Sequence, residues 1–305
     1  MLETPLSTFA LILLLQLGVT AQQRADEAFT LPDTGPSKHA AGEGPLVGID
    51  EAHHNFHTLA GRYRTFGALL SRDGYVVKPS TEPFTLAALK PLEVLVISNA
   101  LSAENVTQWS LPNHSAFTDE EIQSVATWVR EGGRLLLIAD HMPMPGAAAK
   151  LAATFGVLFY DGYVFGPDGS SQLTFSRTDE SLVDHLVIRR EGGGEIPHVT
   201  TFGGQGFRFA PGVKGEPLLR LPAASLMMLP FRHGQYDEKT PRIPAEGLLQ
   251  GGLLRFGKGR IAVFGEAAQF SAQITARGSA TMGMNSPKAK HNARFLLNVM
   301  SWLVE

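Results

Sequence analysis

The first half of the chain alternates short apolar runs with longer segments in which apolar residues recur at helical spacing. Val94–Ser98 and Leu135–Asp140 have the continuous apolar character of strands that are buried on both faces of a sheet. Leu46–Asp50 and Tyr75–Val77 are shorter strand-like runs. Because strands that alternate with helices form parallel sheets with right-handed crossovers, this half predicts an α/β domain.

Helices are predicted between these strands from apolar periodicity and from end signals. Residues 53–73 place apolar side chains at helical spacing and are followed by a glycine. Thr118 and Glu121 form a capping box, since the Glu121 side chain can reach back to the Thr118 amide. Two further helices are predicted over Gly146–Phe155 and Lys288–Val304.

The second half of the chain changes character after about residue 157. Short β-type runs are separated by glycine and proline, and they predict an antiparallel or mixed extension of the same domain. The clearest signal is a hairpin over Leu253–Phe264 with its turn at 257–259. The other runs are Val157–Tyr160, Leu186–Ile188 and Val199–Phe202.

The N-terminal segment predicts export. The apolar run Phe9–Ala21 is too short to span a bilayer comfortably, and it ends in small residues that suit a signal-peptide cleavage site. We therefore expect a signal peptide over 1–21, a flexible leader over 22–44, and one domain over 45–305 with a β-rich extension at about 157–264. The predicted location is secreted or periplasmic, with membrane contact only through this first segment if it is not cleaved.

The amino-acid composition excludes several kinds of site and partner, but it does not identify a function. The 305 residues include no cysteine, which excludes disulfides, thiolate metal sites, a lipoprotein anchor and a cysteine nucleophile. The formal net charge of -3 argues against a nucleic-acid partner. There is no nucleotide motif, because the glycine-rich stretch 252–258 is followed by glycine where a phosphate loop needs Ser or Thr.

Polar side chains gather where the predicted strands end, and in a parallel sheet these ends share one edge. Ligands bind beyond that edge in open α/β sheets, although Asp and Asn at such positions also cap helices. Asp50, His53, Asp140 and His141 could together hold a divalent metal, so a metal cofactor stays open. The full set of predicted ligand-binding residues is Asp50, His53, His54, Asn99, Asp140, His141, Glu266 and Gln269.

Several blocks of the sequence resemble one superfamily. The stretch from Val47 to Phe159, the block FTDEEIQSVATWVREGGRLLLIADH and the later block GKGRIAVFGEAAQFSAQ are similar to class I glutamine amidotransferase-like proteins. More narrowly, they resemble an uncharacterised bacterial exported branch related to the extracytoplasmic domain of gliding-motility ABC transport proteins. The resemblance implies a flavodoxin-like three-layer α/β sandwich with a mostly parallel sheet and a β-rich C-terminal extension.

The same resemblance removes one activity and leaves two classes of function open. Amidotransferases place a cysteine on a sharp turn after a central strand, and this chain has none. The corresponding strand is expected to lead into Asp140-His141. The first class is an exported binding domain for a small polar ligand, for example a carbohydrate, or for an envelope protein. The second is an exported hydrolase, with or without a metal, that uses strand-end Asp, His and Glu residues.

Overall fold

The computed structural model describes residues 23–189, 195–275 and 280–305. Its α-helices are α1 (Arg64–Arg72), α2 (Leu86–Leu89), α3 (Asp119–Arg130), α4 (Met144–Thr154) and α5 (Asn292–Val304). Its strands are β1 (Arg24–Ala25), β2 (Leu46–Asp50), β3 (Val76–Ser80), β4 (Val94–Ser98), β5 (Arg134–Ile138), β6 (Val157–Phe159), β7 (Tyr163–Phe165), β8 (Gln172–Ser176), β9 (His198–Phe202), β10 (Phe207–Phe209), β11 (Gly215–Arg220), β12 (Leu226–Met228), β13 (Arg242–Pro244), β14 (Leu249–Phe256), β15 (Gly259–Phe264), β16 (Ala272–Ile274) and β17 (Thr281–Gly283).

One nine-stranded sheet organises the domain. Five of its strands are parallel and lie in the order β3-β2-β4-β5-β15, which in chain order is 2-1-3-4-5. That is the flavodoxin-like order. Beyond β15 the pairing turns antiparallel through β14 to β10 and β6, with β11 also on β14. The sheet is therefore mixed rather than mostly parallel, because the strands of the C-terminal half join its far side.

Helices cover both faces of this sheet, as a three-layer sandwich requires. One apolar core lies under α1 and α5 and includes Phe66 and Phe295. The other lies under α3 and α4 and includes Val125 and Leu151. Small sheets formed by β7, β12 and β13 and by β8 and β9 pack on the first core.

The predicted helix over 53–73 is wrong in its first half, since α1 begins only at Arg64. The backbone of residues 53–56 bonds instead to the turn after β4, where Phe56 N donates to Asn99 O and Leu101 N donates to His53 O. Local side chains also compete for the backbone, because Asn55 Oδ1 accepts from His53 N. These contacts satisfy the peptide groups without a helix.

Other elements match the sequence expectations, with one exception. The capping box at Thr118 and Glu121 is present, and the hairpin is formed by β14 and β15. The helices predicted at 146–155 and 288–304 appear as α4 and α5 with shifted ends. Leu186–Ile188 is a 3-10 helix and not a strand, because the His185 side chain accepts from Val187 N and caps a turn.

The predicted signal peptide over 1–21 lies outside the described residues. Most of the predicted leader is described, and it contacts the domain at several points: β1 pairs with β16, and Arg72 donates to Pro32 O. The proposed domain boundaries stay predictions. In the described part of the chain, every helix is too short or too polar to cross a bilayer.

Candidate functional site

Three adjacent strands bring their ends to the same height. Ser98 of β4 pairs with Ile138 of β5, which pairs with Phe264 of β15. The polar residues Asn99, Asp140 and Glu266 follow within two positions of these partners. Each is buried, and together with His141 they line one small recess of about 40 Å³. The rest of its wall is formed by Gln23, Phe56, His57, Met144, Phe202, Ala268, Gln273 and Met282.

The recess adjoins a much larger outer cleft of about 830 Å³. Gln23, Phe56 and His141 line both spaces, so the recess lies at the inner end of the cleft. A volume of about 40 Å³ accommodates a water molecule or one functional group, whereas the cleft is within the range of small-ligand sites. The other cleft residues are Arg62, Val106, Thr107, Gln108, Trp109, Arg232 and His233.

Asn99 connects the strand ends around the recess. Its backbone has a φ of +52°, a left-handed conformation that asparagine tolerates better than most residues. Its Oδ1 accepts from the Asp140 amide at 2.9 Å, and its Nδ2 donates to His57 Nδ1 at 3.1 Å. Asn99 therefore fixes the position of the Asp140 backbone and the orientation of the His57 ring.

Asp140 and Glu266 form a pair of carboxyl groups at the recess. Asp140 Oδ1 accepts from the His141 amide at 2.7 Å, and Glu266 accepts from the amides of Ala268 and Gln269 at 2.8 Å each. Burial, reinforced by the neighbouring charge of Asp140, raises the pKa of Glu266 well above its usual value. The raised pKa of Glu266 favours the protonated form of that carboxyl group.

His57 is a neutral imidazole in the wall of the recess. Burial, followed by the charges of Arg62 and His141, lowers its pKa well below 6.5. Because its Nδ1 accepts from Asn99, its proton is on Nε2. Nε2 lies 3.5 Å from the Gln273 side-chain nitrogen, which donates to Ser271 Oγ at 2.7 Å.

Two aromatic and two histidine rings line the outer cleft. Trp109 meets Phe56 edge to face at 5.3 Å and His233 at 4.8 Å between ring centroids. His141 stacks on Tyr163 at 4.8 Å, and the Tyr163 hydroxyl bonds both Met142 O and His233 Nδ1. Burial and the nearby His141 lower the pKa of His233 to about 4, so its ring is neutral at neutral pH.

Four predicted site residues lie away from the recess. Asp50 and His53 belong to a separate buried network in which His53 Nδ1 donates to Asp50 at 2.8 Å and Nε2 donates to Glu121 at 2.9 Å. His54 is exposed with a φ of +49°. The Gln269 side chain donates to Glu266 O, whereas the Gln269 backbone amide donates to the Glu266 carboxyl group.

The four residues predicted as metal ligands therefore divide between two places. Asp140 and His141 are at the recess, while Asp50 and His53 are in the separate network. Among the described residues, no three His, Asp or Glu side chains are grouped so that they could hold a metal ion. The prediction that these four residues form one metal site is therefore wrong.

Several residues of the site are missed by the strand-end argument. His57 and Phe56 precede α1 in a segment predicted as helix, and Gln273 and Phe202 come from the β-rich half. Trp109 is in a loop that the structure brings beside His233 through the hydrogen bond from His233 N to Trp109 O. No local sequence signal predicts that contact between residues so far apart.

Comparison with one solved structure shows the fold, and two others are less similar. The N-terminal domain of mmIFT52 is similar with a TM-score of 0.59 at 11% identity, over 85% of this chain and 97% of that domain. A ThuA-like protein from Bacteroides uniformis has a TM-score of 0.49 at 13% identity, covering 88% of this chain and 95% of that one. For the protein STM1381 from Salmonella typhimurium LT2 the TM-score is 0.48 at 17% identity, covering 85% and 99%.

Identities this low show an architecture and nothing of a ligand or a reaction. No protein-family model matches the sequence, and none of the curated proteins matches it. The narrower resemblance to the exported, motility-related branch therefore stays a prediction.

Proposed function

We propose that the recess and the outer cleft form one binding site for a small polyhydroxylated ligand, such as a carbohydrate, in an exported domain of amidotransferase-like fold. The observation that carries the proposal is the convergence of Asn99, Asp140, His141 and Glu266 on one recess at the end of a large cleft. Such a position, beyond the carboxyl ends of parallel strands, is where open α/β sheets bind ligands.

The chemistry of the walls favours hydroxyl groups. The Asp140 carboxyl group accepts hydrogen bonds, the raised pKa of Glu266 favours a form that can donate one, and the His57 Nε2–H donates. The recess therefore offers both partners that an alcohol needs. The rings of Phe56 and Trp109 offer apolar surface to the C–H faces of a sugar ring. A ligand would place one hydroxyl in the recess and its body in the cleft.

Glutamine hydrolysis is not proposed. The residue on a sharp turn after a central strand is Asn99, with its φ of +52°, and not the Asp140-His141 pair expected from the sequence. An amide side chain there supplies no nucleophile, and the chain contains no cysteine.

A hydrolase that needs no metal is the second candidate, and the paired carboxyl groups favour it. Two neighbouring carboxyl groups, one of which has a raised pKa, can act as general base and general acid. Asp140 would accept a proton from a water molecule in the recess, and Glu266 would give its proton to the leaving group. His141 would hold the substrate at the junction of recess and cleft.

Isothermal titration with a panel of neutral and acidic mono- and disaccharides tests the binding proposal. We expect saturable binding that falls at least about tenfold in Asp140→Asn, because one charge-assisted hydrogen bond is lost. Glu82→Gln is the control, since Glu82 is exposed and outside the site. Absence of binding to every sugar contradicts the proposal. Turnover of a bound sugar or its glycosides that disappears in folded Asp140→Asn would instead favour the hydrolase.

A further inference from the structure

The outer cleft carries positive charge without a matching negative charge. Its charged lining residues are Arg62 and Arg232, and no carboxylate appears among the described residues that line it. The carboxyl groups of Asp140 and Glu266 line the adjoining recess. Guanidinium groups therefore line the outer part of the site, and carboxyl groups line its inner part.

Arg62 is fixed and partly buried without a carboxylate partner. Its guanidinium lies 3.8 Å from the centre of the Phe56 ring, and its Nη1 donates to Phe56 O at 3.0 Å. Neither Arg62 nor Arg232 takes part in an ion pair among the described residues. Burial lowers the pKa of Arg62, since a desolvated cation is unfavourable without a counter-charge. An anion in the cleft would offset that cost.

Arg232 approaches the same cleft from another part of the chain. It pairs with Ser110 in an isolated bridge beside Trp109, and its side chain is exposed. A guanidinium matches a carboxylate or a phosphate with two parallel hydrogen bonds, which favours an anionic group over a neutral hydroxyl. His233 adds no charge at neutral pH, so the two arginines supply the attraction.

We infer that the ligand of this site is an acidic polyol, a sugar acid or sugar phosphate, whose anionic group is held by Arg62 and Arg232 while a hydroxyl enters the recess. The inference rests on the proposed function and names its ligand class. Arg62 and Arg232 are then specificity residues, because a neutral sugar of the same shape gains nothing from them.

Matched pairs of ligands test this by isothermal titration: glucose against glucuronate and glucose 6-phosphate, and galactose against galacturonate. We expect at least one anionic member to bind about tenfold or more tightly than its neutral partner, and the advantage to shrink as salt rises. Which anion gains more distinguishes a carboxylate ligand from a phosphate ligand.

Variants separate charge from folding. Arg62→Gln and Arg232→Gln should each remove most of the advantage, whereas Arg62→Lys should retain part of it. Arg64→Gln is the control, because Arg64 is exposed and pairs with Glu27 outside the cleft. Equal binding of neutral and anionic partners, or an advantage that survives both glutamine variants, overturns the inference and leaves the proposed function standing. If no member of any pair binds, the proposed function fails and the inference fails with it.

Discussion

His53 joins three segments of the domain through one buried ring, so its replacement by glutamine is an informative perturbation. Its Nδ1 lies 2.8 Å from Asp50 at the end of β2, and its Nε2 lies 2.9 Å from Glu121 in the first turn of α3. The ring also packs between Phe84 and Phe117, at centroid distances of 4.4 and 4.8 Å. A glutamine side chain cannot reach both carboxylates.

The magnitude follows from the burial of Asp50. That carboxylate is fully buried, and without His53 it keeps only the Asn55 amide and the Ala52 backbone amide as donors. Breaking a buried ion pair from one side costs about 3–5 kcal/mol. Because glutamine can still donate one hydrogen bond, we expect His53→Gln to lower the free energy of unfolding by about 3 kcal/mol.

The pH dependence has a definite sign. Burial alone would lower the pKa of His53, but Asp50 and Glu121 outweigh it and raise the pKa above 6.5. For a histidine whose folded-state pKa is raised, the stabilisation is complete below about pH 6.5 and is lost as the pH rises through the folded-state value. Burial would raise the pKa of Glu121, but hydrogen bonds from Thr118 and His53 lower it, so its contribution is lost only in acid. The cost of His53→Gln should be largest between about pH 5 and 6.5.

Urea unfolding of the wild type and His53→Gln at pH 5.5, 7 and 9, followed by circular dichroism, measures this. His185→Gln is the matched control, because His185 Nε2 also lies 2.9 Å from a carboxylate, yet that Glu216 side chain is 45% exposed. We expect the control to cost about 1 kcal/mol or less. A cost for His53→Gln no larger than the control's, or one that grows toward pH 9, would refute the reasoning.

Three further predictions concern the recess. A Cβ at Gly204 would lie 2.1 Å from Gly265 O, whereas a Cβ at Gly203 would meet nothing within 4 Å. Because both backbones have a positive φ, the variants differ mainly in this clash. The free energy of unfolding of Gly204→Ala should therefore be at least about 2 kcal/mol lower than that of Gly203→Ala in the same urea assay. Glu266→Gln should gain stability relative to wild type as the pH rises from 5 to 8, because ionising a buried Glu of raised pKa costs the wild type alone; parallel pH profiles would contradict this. Asn99→Ala should be less stable than Asn99→Gly by about 1 kcal/mol in thermal or urea unfolding. Both variants lose the same hydrogen bonds, but only alanine is strained at a φ of +52°. Equal stabilities would argue against strain at this position.

The parallel half of the fold is predictable from the sequence because its signals are local. Buried strands such as Val94–Ser98 are continuous apolar runs, and the capping box at Thr118 and Glu121 marks a helix start with two residues. Parallel order then places Asn99, Asp140 and Glu266 at one edge without any knowledge of side chains. The number of antiparallel strands that extend the sheet cannot be predicted from local sequence, because these strands pair with residues far away in the chain.

The composition of the site is only half predictable for a related reason. Asp50 ends a strand at the same edge as Asp140, yet its carboxylate turns to His53 and Asn55 and leaves the recess. Sequence position fixes where a strand ends, whereas side-chain partners decide which way a polar group faces. His57 shows the converse, since it lies in the segment predicted as helix and the loop that replaces the helix places it beside Asn99.

The outer cleft is lined by loops, whereas the recess is formed at the ends of strands. Residues 106–109 and 232–233 are loop segments held together by a few backbone hydrogen bonds, while the inner recess is fixed by three strands in register. Loops accept substitutions and insertions that packed strands reject. Substitutions in those two loops, with the strands of the recess left unchanged, are therefore the way to engineer binding of a different ligand. Natural homologues would be expected to differ mainly in the same two loops.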